Sequence, residues 1–354
     1  MKFNYKQLTF AREYRGYSQT ELSSKIKGLS QSNLSKFEKG VGSLSDEILH
    51  KIIDYLDFPE SFFEKEISNK VENAHFRTKS CVNKSERSMV EYSNKLIGYI
   101  IDQMGESLEF PQFSIPLIDL EKGYTPEYVA QYIRKYLGLK EEPVRDIFSI
   151  LERNGIIIVE IDLDVNTFDG VSFFTDNGYP VIVVNKNFSN DHKRFTIAHE
   201  LGHIIMHLAE DFLIPDFREK EKEAHIFAAE FLMPENAIRH SLRNLKLSYL
   251  VELKRVWLTS MASIIRRAKD IGCISQKTYT YFNVELSRKG YKKQEPVNVY
   301  IDEPNIFISA YNIHKQDLEY TDEELAKAFS LPKDVLQKFC LPNNNNRLRL
   351  YVGR

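Results

Sequence analysis

The 354-residue sequence contains few cysteines and no long apolar run. Its three cysteines (Cys81, Cys273 and Cys340) lie far apart and form no C-x-x-C pair, which excludes a disulfide framework and a cysteine zinc site. No segment approaches the roughly 18 apolar residues that a membrane span requires, and the polar start lacks the apolar core of a signal peptide. We therefore expect a cytoplasmic protein without membrane contact.

The chain also lacks a large excess of either charge, because its formal net charge is only −2. Such a balance excludes a protein that binds polyanions over its whole surface. The charge is nevertheless uneven. Residues 1–40 hold eight Lys or Arg and three Glu, whereas residues 41–70 hold three Lys and seven acidic residues. Any contact with nucleic acid is therefore expected at the basic N-terminal segment.

Residues 1–70 predict five short helices that form a small bundle. Ser18 and Glu21 form a capping box at the start of "QTELSSKI", and Ser30 caps "QSNLSKFEKG" after the turn at Gly28. The segment "YSQTELSSKIKGLSQSNLSKFEKG" resembles the lambda-repressor/Cro (XRE) type of helix-turn-helix. This resemblance implies that the second helix of the motif enters the major groove of double-stranded DNA.

The polar residues of this motif predict the DNA contacts. Gln and Asn side chains can pair with adenine edges, and a Lys can reach guanine or phosphate. A polar residue at the start of the first helix suits a phosphate contact. A polar bundle that binds a protein instead is the alternative. The predicted DNA-contacting residues are Gln19, Gln31, Ser32, Asn33 and Lys36.

The middle of the chain predicts a small sheet surrounded by helices. The run "IIIVEIDL" at 156–163 is rich in β-branched residues and predicts a strand. "GVSFFT" and "YPVIVVN" flank "DNG", a hairpin signature. Two helical stretches follow, "RFTIAHELGHIIMHL" and "EKEKEAHIFAAEFLM".

The stretch "HELGH" has the spacing of a metal site. His199 and His203 are four residues apart, so one helical face presents both imidazoles to one ion. Glu200 lies roughly 100° around the helix from His199, where it can take a proton from water at the metal. The competing interpretation is a pair of histidines with ordinary structural partners. The apolar flanks favour a metal, since these polar groups would be costly to bury without a shared partner.

A zinc site of this kind requires a third protein ligand from elsewhere in the chain. Spacing alone does not choose between Glu221 and Glu223 on the next helix. His207 continues the face of His199 and His203, and we expect it outside the ligand set because a fourth ligand would close the site to water. The candidates on the next helix are Glu219, Glu221, Glu223, His225 and Glu230.

"RFTIAHELGHIIMH" followed by "EKEAHIFAAEFLMP" resembles the ImmA/IrrE family of gluzincin-type metallopeptidases. The resemblance implies that Glu221, thirteen residues before Pro234, is the third ligand. It also implies a zinc-dependent (Zn2+) peptidase in which Glu200 is the catalytic residue. His225 stands where this family often has Asn, and it becomes a candidate for a hydrogen bond to the site. Four residues remain candidates for stabilising the oxyanion: His225, His207, Arg77 and Tyr179.

The predicted fold class is multidomain, mainly α with an α+β middle. A five-helix helix-turn-helix bundle precedes a zincin-like (gluzincin) domain with a small sheet and the H-E-x-x-H helix, and a helical or mixed C-terminal region follows. The predicted boundaries are 1–70 for the DNA-binding domain, 71–110 for a connector and helix, 111–244 for the peptidase domain, 245–285 for a helical region and 286–354 for the C-terminal region.

Together these patterns predict a DNA-binding transcriptional regulator with a zinc peptidase domain. The resemblance implies that its substrate is a partner repressor or another regulatory protein, cleaved under stress. The alternative is a non-proteolytic regulator or antitoxin whose peptidase-like domain senses or binds a partner. A homodimer is compatible with this type of helix-turn-helix, which commonly reads paired half-sites.

Overall fold

The computed structural model describes residues 3–67, 75–76, 84–163 and 168–341. The chain divides into two units. One consists of Met1–Ile67 together with Phe307–Arg354, and the other is Ser68–Ile306. The C-terminal segment therefore groups with the N-terminal helices, whereas the boundaries predicted at residues 110, 244 and 285 stay predictions.

The N-terminal part of the first unit contains four α-helices and one 3-10 helix. Side chains of Asn4, Ser18, Ser30 and Ser45 cap the four α-helices, and Ser18 with Glu21 forms the predicted capping box. The predicted fifth helix is the short 3-10 helix. The elements are α1 (Tyr5–Tyr14), α2 (Gln19–Lys25), α3 (Gln31–Glu38), α4 (Asp46–Leu56) and the 3-10 helix Glu60–Glu64.

The second unit contains a small sheet with strand order β1-β3-β4-β2. The β3–β4 hairpin turns at the predicted "DNG", where Gly178 has a φ of +84°, a conformation that favours glycine. Strand β2 pairs with β4 in parallel, and β1 pairs with β3 antiparallel. The strands are β1 (His75–Phe76), β2 (Ile157–Ile161), β3 (Phe168–Phe174) and β4 (Pro180–Asn185).

Nine described helices of the second unit surround this sheet. They are α5 (Lys84–Gly105), α6 (Pro126–Tyr136), α7 (Ile147–Arg153), α8 (Asn190–His207), α9 (Lys220–Leu232), α10 (Glu235–Leu242), α11 (Leu247–Trp257), α12 (Met261–Asp270) and α13 (Gln276–Arg288). A 3-10 helix at Leu120–Lys122 precedes α6. In the segment "PVRDIFSILERNG" the helix begins at Ile147, where Asp302 accepts the backbone N–H groups of Phe148 and Ser149.

Helix α8 is buried on nearly all sides, between the sheet and α9. Two glycines permit this packing. A Cβ at Gly170 of β3 would lie 2.6 Å from Cγ2 of Thr196, and a Cβ at Gly202 would lie 3.0 Å from the Phe227 ring. At the glycine of "HELGH", Gly202, α9 therefore packs close against α8, which brings the acidic residues of α9 to the histidines.

Three C-terminal helices complete the first unit: α14 (Ile306–Gln316), α15 (Asp322–Ala328) and α16 (Lys333–Cys340). The stretch "DEELAKAFSLPKDVLQKF" forms two helices, because Ser330 has a φ of +56° and Pro332 precedes α16. Arg15 of α1 forms an ion pair with Asp334 at 2.6 Å, and the Tyr14 ring contacts that of Phe339. No helix among the described residues is long and apolar enough to cross a membrane.

Candidate metal centre

The ligand atoms of His199, His203 and Glu221 lie within 4.8 Å of one another. The two Nε2 atoms are 3.1 Å apart. Glu221 places its carboxylate oxygens 3.5 Å from Nε2 of His199 and 3.8 Å from Nε2 of His203. Both histidines are buried, while Glu221 is partly exposed. The structure thus joins three of the residues that the sequence singled out, on two different helices.

These separations fit a tetrahedral metal site. Zinc bonds of 2.0–2.2 Å to nitrogen and oxygen place neighbouring tetrahedral ligands about 3.4 Å apart. The three measured separations bracket that value. Two imidazoles and one carboxylate form a donor set that suits zinc and leaves one position for water or substrate. The residues therefore fit the ion that the sequence predicts.

Glu200 is buried beside the histidines, with an exposed fraction of 2%. Its Oε2 accepts a hydrogen bond from Oγ of Ser172 at 2.7 Å. Ser172 lies on β3, so the sheet holds this carboxylate in place. The sequence did not single out Ser172, since nothing in the one-dimensional pattern places β3 against α8.

A hydrogen-bonded chain runs from His203 away from the metal site. Nδ1 of His203 lies 3.0 Å from Nδ1 of His207, and Nε2 of His207 lies 2.9 Å from a carboxylate oxygen of Glu223. Burial lowers the pKa of His207 and outweighs the charge of Glu223, which favours a neutral imidazole with one proton. The Glu223 carboxylate only accepts, so that proton belongs on Nε2 of His207.

This chain determines which nitrogen of His203 faces the metal position. With its proton on Nε2, His207 offers Nδ1 as an acceptor, and Nδ1 of His203 must donate to it. The lone pair of His203 then lies on Nε2, the atom that faces His199 and Glu221. Arg218, which the sequence did not single out, pairs with Glu223 and with Glu121.

The acidic residues of α9 thus separate into distinct surroundings. Glu219, just before the helix, pairs with Lys222 on the surface, and Glu230 forms a buried ion pair with Arg267. Only Glu221 points to both histidines of the motif, and Glu223 contacts His207 instead. Glu221 and Glu223 have different contacts because they lie two residues apart on a helix, so their side chains point roughly 200° apart around its axis.

His225 lies one turn beyond Glu221, and its ring packs against Phe195 at a centroid distance of 4.9 Å. Both rings line a cavity of about 870 Å³ in the second unit. Phe195 precedes His199 by one turn of α8, so the cavity borders the two helices that carry the metal ligands. The remaining lining includes residues of α12 and the segment after α13, among them Arg266, Lys292 and Lys293.

Three of the four predicted oxyanion candidates have different outcomes. Tyr179 packs its ring against Phe110 at 5.2 Å and against Gly105, and no described contact connects it to the metal site. Arg77 lies outside the residues that the structure describes. His207 is hydrogen-bonded to His203 and Glu223 and lies outside the set of three candidate ligands.

The predicted DNA-contacting residues lie on the surface of the helix-turn-helix. Gln31, Ser32, Asn33 and Lys36 are exposed at the start and on the outer face of α3. Nε2 of Gln31 donates to Oε1 of Gln19 at 2.9 Å, and Gln19 in turn donates to Glu38. The other face of α3 carries buried Leu34 and Phe37.

Comparison with known families identifies two domains in the chain. Residues 151–269 match the peptidase family model described as the IrrE N-terminal-like domain, and residues 10–63 match the helix-turn-helix family model. No curated protein matches the chain. The chain therefore carries a helix-turn-helix domain followed by an IrrE N-terminal-like domain, in the order that the motifs predicted. These matches indicate a DNA-binding regulator with a peptidase-like domain.

Proposed function

We propose that this protein is a DNA-binding transcriptional regulator whose zinc-dependent peptidase domain cleaves a partner repressor or regulatory protein. One observation carries the proposal: a three-ligand metal site with a buried glutamate beside it lies in the same chain as a helix-turn-helix. A binding domain that never cleaved anything would have no chemical use for Glu200. The helix-turn-helix in turn favours one chosen substrate over general digestion.

In this proposal His199, His203 and Glu221 hold the zinc ion. When bound, zinc acts as a Lewis acid and lowers the pKa of a water to about 7. Glu200 accepts the proton from that water and later gives it to the leaving amine of the cleaved peptide bond. The Ser172 hydroxyl would orient Glu200 for this role by donating to Oε2.

The substrate chain would lie in the cavity beside the metal site. Its walls include Phe195 and His225, each one helical turn from a proposed ligand, and this proximity supports the cavity as the place for the substrate chain. An extended segment suits this site better than a folded surface does, because the carbonyl must reach buried residues. We assign no residue to stabilising the oxyanion.

We assign DNA binding to the exposed face of α3. Gln31, Ser32, Asn33 and Lys36 would meet base edges and phosphates in the major groove, and Gln19 would contact the backbone. The contact between Gln19 and Gln31 holds the first polar residue of α3 toward that groove. Binding is expected to weaken as salt rises, since the segment neutralises phosphates.

The decisive experiment compares cells that express the native chain, Glu200→Gln or Glu219→Gln. Glu219 is a surface residue just before α9 and serves as the matched control. Sequencing of protein N-termini should find a new terminus in a regulatory protein with the native chain and with Glu219→Gln. With Glu200→Gln we expect that cleavage to fall by a factor of about 10² to 10⁴, the usual contribution of a general base.

Metal analysis of the same purified proteins completes the test. The native chain and Glu200→Gln should each carry about one zinc ion, whereas His199→Ala and Glu221→Ala should lose it. If Glu200→Gln produced the same new termini, or the same relief of repression, the non-proteolytic regulator or antitoxin would be the better account. Full zinc in both ligand variants would contradict the metal site itself.

A further inference from the structure

Helix α6 presents three tyrosines to solvent, and Tyr124, just before the helix, stacks on the first of them to extend the row. The three on the helix recur every fourth residue, which aligns them along one face. Their exposed fractions are 42% for Tyr124, 51% for Tyr128, 42% for Tyr132 and 47% for Tyr136. The opposite face of α6 is buried, where Val129, Ala130 and Ile133 contribute to the core. Nothing in the metal site or the DNA-binding face uses this row.

The row has the composition and rigidity of a binding surface. Tyrosine is enriched in protein interfaces and exposes large area at low cost in side-chain entropy. Tyr124 and Tyr128 stack at 5.3 Å with their planes 9° apart, and the Tyr136 hydroxyl donates to the Ser114 carbonyl at 2.7 Å. Four half-exposed rings present on the order of 400 Å² of aromatic surface, a patch large enough to mark an interaction site.

We propose that this face binds the same face of a second copy of the chain, with the two α6 helices antiparallel. Two flanking charges favour that occupant. Glu127 and Lys135 lie eight residues apart along one edge of the row, and neither forms an ion pair with any residue that the structure describes. The tyrosine row and this pair of charges are both centred near residues 130–131, so a single two-fold axis near that point would relate both features to those of a second copy.

A two-fold axis at that point makes the surface self-complementary. This two-fold rotation places each residue of the second copy on the same edge of the interface as in the first copy, while the second helix runs in the opposite direction. Glu127 of one copy therefore meets Lys135 of the other, twice in each dimer, while the tyrosines interdigitate between them. A heterologous partner would need no such symmetry in the charges.

The size of the patch predicts a weak dimer. A stable interface buries about 800 Å² per partner, about twice what the tyrosines alone supply. We therefore expect dissociation in the micromolar range rather than an obligate dimer. The dimer goes beyond the proposed function. It would supply two helix-turn-helix domains that can bind paired DNA half-sites.

The test is sedimentation equilibrium of the full chain without DNA, over a concentration series. Glu127→Lys and Lys135→Glu should each raise the dimer dissociation constant by about tenfold, and the double variant should restore it, because the reversed charges meet again. Tyr128→Ser combined with Tyr132→Ser should raise it by about tenfold or more. Tyr281→Ser, which removes an equally exposed tyrosine from α13, should change nothing. Circular dichroism melts would verify that each variant is folded.

Three outcomes would overturn the proposal. The first is a native chain that stays monomeric at several hundred micromolar. The second is a dimer that the tyrosine variant leaves unchanged. The third is a double charge variant that fails to restore what the single variants lose. A monomeric chain whose tyrosine variant binds its cleaved protein more weakly would assign the row to substrate docking instead.

Discussion

The metal centre and the DNA-binding face place their functional side chains in opposite environments. His199, His203 and Glu200 are buried, and hydrogen bonds from Ser172 and through His207 to Glu223 hold the group. The four polar α3 residues that we assign to DNA, Gln31, Ser32, Asn33 and Lys36, are exposed, and among them only Gln31 has a described side-chain partner, Gln19. Bond-making chemistry requires positions fixed to fractions of an ångström, whereas a DNA contact forms when the partner arrives. The two regions should therefore respond differently to substitution.

The largest effect is expected where the metal centre depends on a distant carboxylate. Glu223→Ala should weaken zinc binding about 10- to 100-fold, since the partner that orients His207, and through it His203, is lost. Glu223→Gln should retain most of the affinity, because its amide oxygen still accepts from Nε2 of His207. Competition with a zinc chelator measures both.

The control is Arg218→Ala, which removes the other partner of Glu223 and leaves His207 with its acceptor. If Arg218→Ala weakened zinc binding as much as Glu223→Ala does, anchoring of the segment before α9 would explain the effect and orientation of His203 would not.

The next effect tests how tightly β3 holds α8. Gly170→Ala places a Cβ 2.6 Å from Cγ2 of Thr196 and should lower the free energy of unfolding by about 1–3 kcal/mol. Thr196→Ser removes that methyl group, so the double variant should recover part of the loss. Denaturant unfolding of the single and double variants measures the coupling. Purely additive losses would contradict the proposed clash.

On the DNA-binding face we expect smaller and separable effects. Lys36→Ala should lower the slope of log affinity against log salt by about 1, if Lys36 contacts one phosphate. Gln31→Ala should cost about 1 kcal/mol or more at a preferred sequence and relax the choice of one base. The probe is a duplex that the native protein selects from a random pool. Unchanged zinc content in both variants would show that the two regions act separately, and a changed zinc content would contradict the comparison.

The smallest effect concerns Asp322, which joins the three C-terminal helices. Hydrogen bonds from Lys315, Gln337 and Tyr311 lower its pKa to about 2. Since the folded pKa lies below the unfolded one, this stabilisation is present above about pH 4 and is lost as the pH falls toward 2. Asp322→Asn should cost under about 1 kcal/mol at pH 7, because the ion pair lies near the surface.

Thermal unfolding at pH 7 and pH 3 measures this dependence. The gap between Asp322→Asn and the native chain should narrow at the lower pH. A gap that is equal at both values would assign the effect to lost packing rather than to charge.

Local sequence patterns predicted the helices near both sites. Features that depend on contacts between residues distant in sequence were not predicted. Capping residues such as Ser18 and Ser30 predicted the helix starts in the bundle, because a cap acts within three residues. The start of α7 at Ile147 has no local side-chain cap, since the acceptor for its first N–H groups, Asp302, lies about 150 residues away. The contacts of Ser172 and Arg218 were missed for the same reason: nothing local distinguishes a serine on a buried strand or an arginine in a connecting segment.

The sequence by itself determined that one helix carries two histidines and a glutamate with metal-site spacing. It also predicted that a helix-turn-helix precedes an ImmA/IrrE-like domain, and the family matches confirm that order. Both follow from short periodicities along a single helix or a pair of helices. Only the tertiary structure decided that Glu221 rather than Glu223 reaches the histidines, that Glu223 holds His207 instead, and that the last three helices pack with the first four. Those outcomes depend on how α9 rotates against α8 and on how distant helices share a core, and a linear pattern does not specify either.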